Sequence, residues 1–332
     1  MNLFRRLVLT FSAALATGGL LAGPAGAQTV LRLGHHHAVG STVDQTANKF
    51  AEIVSERSKG ALQIKVFPAA QLGQEREAYG LCNTGVLDFS ITSLAILDQV
   101  YPVINVTSLP FVFRDWPHVY KLYDGQFGNL LRDGIKQGTS THVLGYIHLG
   151  FRDMLFRGPP VREVAGLKGM KMRSPEAALW FRMFELLGAR PTPVTWGEVY
   201  SAMQTGVADG LEAPAMTALD NKFNEVVKSL VRTRHMFGSM GIFVSSPRLA
   251  RLPKDQQDLL FVAGKEATDF SNKTLSEPGE QQAYKKMAEL GMTVADPVSI
   301  QEWSSRVEPM WKELTTKTPG TDKLLTLILE TK

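Results

Sequence analysis

Gly169-Met-Lys-Met-Arg173-Ser174-Pro175-Glu176 leads into the helical run Ala177–Leu187 and then into Gly188-Ala-Arg-Pro-Thr-Pro-Val-Thr-Trp196-Gly-Glu198. An arginine leaves an extended Met-Lys-Met segment where Ser174 suits a helix N-cap and Pro175 the first helical position. Unpaired backbone N–H groups and the positive end of a helix are therefore expected beside Arg173. A guanidinium grips both oxygens of a carboxylate, which an ammonium cannot. The segment reads as a receptor for an organic anion. The competing reading makes Arg173 an ion-pair partner for an acid of its own lobe.

Working outward, the chain alternates α and β. Val30–Gly34 reads as a strand with His35, His36 and His37 at its end, Val43–Ser58 as an amphipathic helix, and Leu62–Phe67 as an alternating strand. Glu75–Asn83 is a helix and Leu87–Ile91 a strand. This βαβαβ opening implies a mainly parallel sheet, whose ligands bind outside the carboxyl ends of the strands. Strands are also expected at Val143–His148, 169–173, Val207–Glu212 and Ser239–Ser246. Thr195 and Glu198 fit a capping box opening the helix Gly197–Thr205. A long helical stretch runs from Lys254 to about Leu290, bent at Pro278-Gly279, and Ile300–Lys317 closes the chain. No linker separates domains, so lobes joined by several crossings are expected.

Arg5 and Arg6, the apolar run Leu7–Ala22 and Pro24-Ala25-Gly26-Ala27 form a cleavable export signal, with Gln28 as the expected mature terminus. The run is shorter than the ~20 apolar residues that span a bilayer. Without residues 1–27 the chain keeps 34 basic residues against 32 acidic ones, scattered, which argues against nucleic-acid binding. The single cysteine, Cys82, forms no internal disulfide, so burial holds the fold, and 44% apolar residues suffice for it. Cys82 is expected buried and inert on its helix. Three consecutive histidines on a strand point to alternating faces, so a metal site at His35–His37 is not expected. No catalytic serine, zinc or phosphate-loop motif is present.

Taken in order, several segments resemble one family. They are Leu-Arg-Leu-Gly-His35, Phe67-Pro-Ala-Ala-Gln71-Leu72-Gly73, Gly85-Val-Leu-Asp88, Gly150-Phe-Arg152, Leu167–Arg173 and Pro193–Gly210. Along the whole mature chain they resemble substrate-binding proteins of tripartite ATP-independent periplasmic (TRAP) transporters. The resemblance implies a type II-like, two-lobe periplasmic binding protein fold of α/β class. Hinge strands and a long helix would span both lobes. Lobe I would take residues 28–149 and about 238–277, and lobe II 150–237 and about 278–332 with the C-terminal helices.

It also implies a periplasmic receptor that captures a carboxylate between the lobes, without cofactor or metal, for integral-membrane TRAP subunits. Arg173 falls where the family places its carboxylate-clamping arginine, Arg152 where an assisting arginine sits, and Trp196 at a pocket aromatic. Glu75, Ser93 and His36 fall near positions lining the other lobe. Relatives often read Asp-Gly-Gln-Glu-Asn-Pro where this chain has Asp209-Gly-Leu-Glu212-Ala213-Pro214, so an amide that often meets ligand is missing. Glu212 keeps two readings, a contact to a ligand hydroxyl or amine, or a brace for the hinge. The alternatives are a periplasmic enzyme acting on a carboxylate and the receptor of an ATP-driven importer or sensor.

Overall fold

A computed structural model describes residues 28–332, so the expected export signal, residues 1–27, lies outside the described residues. The chain opens with β1 (Thr29–His35), α1 (Thr42–Arg57), β2 (Leu62–Phe67), α2 (Glu75–Asn83) and β3 (Phe89–Ser93). Leu62 and Ile64 of β2 are buried while Gln63 and Lys65 are exposed, the period-two pattern of a strand with one wet face. Ser41 caps α1 by accepting from the Asp44 N–H at 3.3 Å. Val43, Ala47, Phe50 and Val54 of α1 then pack inward at helical spacing.

Next come α3 (Trp116–Tyr123), α4 (Gln126–Gly138), β4 (Thr141–Phe156), β5 (Lys171–Ser174), α5 (Ala178–Leu186) and β6 (Arg190–Pro193). They are followed by α6 (Val199–Thr205), β7 (Gly210–Pro214), α7 (Ala215–Asp220) and β8 (Ser229–Ser245). The last third holds α8 (Ser246–Leu249), α9 (Lys254–Phe270), α10 (Glu277–Glu289), β9 (Thr293–Ala295), α11 (Ile300–Val307), α12 (Pro309–Lys317) and α13 (Thr321–Glu330).

All nine strands form one sheet in the order β2-β1-β3-β8-β4-β7-β5-β6, with β9 beside β8. Its flanks are parallel as expected, but the centre is not. β8 pairs antiparallel with β3 and β4, and β4 antiparallel with β7. The expected strands 143–148 and 239–246 are pieces of β4 and β8, which at 16 and 17 residues are each about 50 Å long. These two strands run from one flank to the other.

Their register is broken three times, at Val143/Gly145, His148/Gly150 and Arg152/Met154. Gly150 has φ +103°, and a Cβ there would stand 2.9 Å from the Glu280 carboxylate, so only glycine fits. Opposite, Arg234 adopts φ +46° and its N–H donates to Asp153 Oδ1 at 2.9 Å.

Local expectations are corrected in four places. β5 hydrogen-bonds β6 as far as Ser174, whose carbonyl accepts from Val194 N–H, so Ser174 belongs to the sheet and caps nothing. The helix starts four residues later, at Ala178. Thr195 and Glu198 do meet, but side chain to side chain at 2.9 Å across a 3₁₀ turn, Trp196–Glu198, ahead of α6. The helical run from Lys254 is interrupted not at Pro278-Gly279 but by a π-turn, Ser271–Ser276, just before it. There the Glu277 N–H reaches Asn272 O, an i→i+5 bond that admits Pro278 without a clash. Pro309 splits the closing helix into α11 and α12, and α13 follows unforeseen.

The Asn272 side chain patches β4 at its second irregularity, donating to Tyr146 O (3.0 Å) and accepting from His148 N–H (2.8 Å). Apolar residues form three buried clusters. One joins α3, α4 and α5 to Trp303, Val307 and Ile328 of the C-terminal helices, one lies between α1, α9 and β1–β3, and one under α6, α7 and α10. Cys82 is buried on α2, and burial pushes its thiol pKa up. Among the described residues no helix is long and apolar enough to cross a membrane.

Candidate functional site

The carboxyl ends of β1, β3 and β5 meet the middle of β4 and β8, as expected for a sheet whose strand directions change there. They enclose a cavity of about 60 Å³. His36, Glu75, Ser93, Arg152, Arg173 and Trp196 all line it. A groove of about 390 Å³ leads outward between residues 74–77 and 194–196. Arg76 spans it, donating to Glu176 O (3.2 Å) while paired with Asp98.

Arg173 is only 3% exposed. Its Nε (3.0 Å) and Nη2 (2.9 Å) both donate to the Val194 carbonyl, and the guanidinium lies 5.4 Å from the Trp196 ring centre. Among the described residues no carboxylate lies within salt-bridge reach of it. Burial pushes its pKa down to about 10, with Arg152 adding to the fall and Glu212 and Glu75 opposing it. The group therefore stays charged at neutral pH. An isolated buried cation is unfavourable until an anion joins it. Donors not used by Val194 are available to such an anion.

Arg152 is already paired. Its Nη2 donates to Glu212 Oε1 (2.7 Å) and to Glu212 O (3.1 Å), and its Nε to Glu212 Oε2. Glu212 is fully buried and does not line the cavity. Its Oε1 also accepts from Trp180 Nε1 (2.8 Å), and His235 Nε2 stands 3.6 Å from Oε2. Burial alone would raise the Glu212 pKa, but Arg152 and His235 outweigh it and hold it at about 2. Both of its carboxylate oxygens are thus engaged behind the cavity wall. Ala213 packs beside it in the apolar cluster under α6 and α7.

The opposite wall is polar. Glu75 Oε1 accepts from Ser93 N–H (2.7 Å) and Thr92 Oγ1 (3.2 Å), and Glu75 Oε2 stands 3.8 Å from His36 Nε2. Ser93 Oγ accepts from Ala95 N–H at 3.3 Å. Burial, reinforced by His35 and Arg173, pushes His36 down to about 3, so it is neutral. Its Nδ1 has no partner among the described residues.

His37 also reaches the cavity, which sequence reasoning missed. Strand alternation was applied to all three histidines, yet β1 ends at His35 and the chain then bends. His35 turns away to Asp44 (3.2 Å), while the His37 ring packs on Trp196 at 5.4 Å. Trp180, Thr217 and Ser239 line the cavity as well. Trp180 falls within the helical run Ala177–Leu187 with nothing in the sequence to single it out, and nothing marked Thr217 or Ser239 either.

Residues 33–318 match the family of bacterial extracellular solute-binding proteins, family 7 (DctP). The chain is 29% identical over 274 residues to the 2,3-diketo-L-gulonate-binding periplasmic protein YiaO of Escherichia coli, covering 82% of this chain and 83% of that one. A TRAP periplasmic solute-binding protein of Sulfitobacter, solved with bound β-D-galacturonate, superposes with a TM-score of 0.86 at 28% identity, over 91% of this chain and 99% of that one. Another from Sulfurospirillum deleyianum, solved with succinate, gives 0.86 at 25% identity over 92% and 99%. With its two-lobe α/β architecture and the match across most of its length, the chain belongs to the family 7 extracellular solute-binding proteins, receptors of the TRAP type.

Proposed function

We propose that the protein captures a hydroxylated organic acid in the periplasm and delivers it to the membrane subunits of a TRAP transporter. The buried, acid-free guanidinium of Arg173 carries this reading, because it leaves a charge that only an incoming anion completes. The ligand carboxylate would meet Arg173, assisted by the free Nη1 of Arg152, whose orientation Glu212 holds. The far end would meet Glu75 and His36. Their 3.8 Å separation is too long for a direct hydrogen bond. A hydroxyl beside both can donate to the carboxylate and pair with the imidazole nitrogen in either tautomer, whereas a ketone, which only accepts, cannot bond the carboxylate. Relatives solved with galacturonate and named for diketogulonate binding support an oxygen-rich acid.

A charge-assisted hydrogen bond contributes roughly 1.5–3 kcal/mol net, and micromolar affinity needs about −8 kcal/mol. Two or three such bonds with burial against Trp196 supply that. Catalysis is disfavoured. Ser239 Oγ meets His148 Nδ1 at 3.3 Å, but burial pushes His148 to about 3, far too low for a general base at neutral pH.

The lobes would divide near residues 149 and 238, where β4 and β8 lose register beside Gly150, and near 277 in the long helix. Residues 1–27 would be the export signal. Calorimetric titration against hydroxylated acids tests the reading. Arg173→Ala should weaken binding by about 2–5 kcal/mol, as when one partner of a buried charge pair is removed, and unchanged affinity in a folded variant rejects it.

A further inference from the structure

We infer that Trp180 gauges the length of the ligand and restricts this receptor to short hydroxy acids of about three or four carbons. The inference rests on the carboxylate reading of Arg173 and narrows it. The cavity holds about 60 Å³, less than half of the ~150 Å³ in which an engineered protein cavity takes a benzene ring. A six-membered sugar-acid ring therefore does not fit inside this cavity unless a wall yields.

Trp180 is the wall least free to yield. It is 5% exposed, its indole N–H donates to Glu212 Oε1 at 2.8 Å, and the Arg152 guanidinium lies 5.8 Å from its ring centre. Swinging the ring out would leave a buried N–H unpaired and uncover the Arg152–Glu212 pair, so the rotamer is fixed from behind.

The indole also works as a partition. Behind it lies a separate space of about 10 Å³ lined by Thr107, Ser108, Met236 and Phe237. Trp180, Arg152, Ser93, Gly238 and Ser239 border both spaces. Shortening Trp180 would merge the two into one larger chamber. The outer groove adjoins the cavity at Glu75, Ile96, Arg173, Pro175 and Trp196 but is not bordered by Trp180, so it leaves the wall that Trp180 forms in place.

Calorimetric titration with D-erythronate and D-glycerate against D-galacturonate and D-glucuronate tests the gauge, in wild type, Trp180→Leu and Trp180→Phe. Wild type should bind the better short acid at least tenfold more tightly than either uronate. Trp180→Leu should shift that ratio toward the uronates by at least tenfold. Trp180→Phe, which keeps most of the ring but loses the bond to Glu212, should keep the short-acid preference and guards against a misfolded Leu variant. Uronates bound by wild type as tightly as the short acids, or a ratio that Trp180→Leu leaves unmoved, would overturn the inference. Binding of none of the four acids by wild type would overturn the carboxylate reading along with it.

Discussion

The Asp220 carboxylate at the end of α7 accepts from both the backbone N–H (3.0 Å) and the hydroxyl (3.1 Å) of Thr42, the first residue of α1. The two residues stand on opposite flanks of the sheet and on opposite sides of the ligand cavity. A carboxylate at the N-terminus of a 16-residue helix is stabilising in its own right. Here it also fastens one half of the molecule to the other. Asp220→Ala should therefore raise Kd by about five- to thirtyfold, equivalent to about 1–2 kcal/mol. Surface plasmon resonance should place the change in the dissociation rate, as for a contact that holds two halves of a molecule together around a ligand. An unchanged Kd would remove the latch from the mechanism.

Arg173 yields an opposite pair of effects. Arg173→Met replaces an uncompensated buried charge with an apolar chain of similar length, so the ligand-free protein should gain about 1–3 kcal/mol of stability. The same variant should lose all ligand-induced rise in Tm. Thermal unfolding with and without acid separates these. A ligand-free variant less stable than wild type would mean that Arg173 serves the fold rather than the ligand.

Glu212 differs in kind from the residues it supports. Glu212→Ala strands the Arg152 guanidinium and the Trp180 indole N–H together, and should lower the unfolding free energy by about 3–5 kcal/mol. Urea unfolding measures it. A loss below about 1 kcal/mol would show the Arg152 pair to be dispensable.

Acid should destabilise the protein from about pH 6.5 downward through its buried histidines. Burial holds His36 and His148 at about 3 in the folded chain, against about 6.5 when unfolded. Their contribution is present above pH 6.5 and is lost as pH falls toward 3, at about 2 kcal/mol per histidine by pH 5. Asp153, pushed up to about 7 by burial despite bonds from Tyr284 and Arg234 N–H, works the other way. Its contribution is complete below about 3.8 and lost as pH rises through 7, so between pH 7 and 5 it returns about 2–3 kcal/mol. The histidines outweigh it. Unfolding free energy should fall between pH 7 and 5, less steeply in His148→Gln and more steeply in Asp153→Asn. A flat profile in wild type would contradict the assigned neutral histidines.

Much of this was legible in the chain because the signals were local. The alternation in β2, the Ser41 cap of α1 and the helical spacing of Phe50 and Val54 each follow from a few neighbouring residues. The six cavity residues came from motif positions on separate segments, and the fold brings those segments to one place. What failed was long-range. Gly, His, Arg and Thr interrupt the apolar runs of β4 and β8, so two strands that cross the molecule read as short ones. Ser174 looked like a cap because nothing local reveals that β6 will pair with it. Trp180 went unmarked because its partner, Glu212, is 32 residues away.

The uninterrupted nine-stranded sheet has a thermal consequence. Since β4 and β8 belong to both halves, neither half can lose its strands while the other keeps them, and calorimetry should record one cooperative transition instead of two. A solute held by a few side chains in the crevice would then protect more than three hundred residues at once, making the supply of cargo a determinant of how long each receptor survives proteolysis.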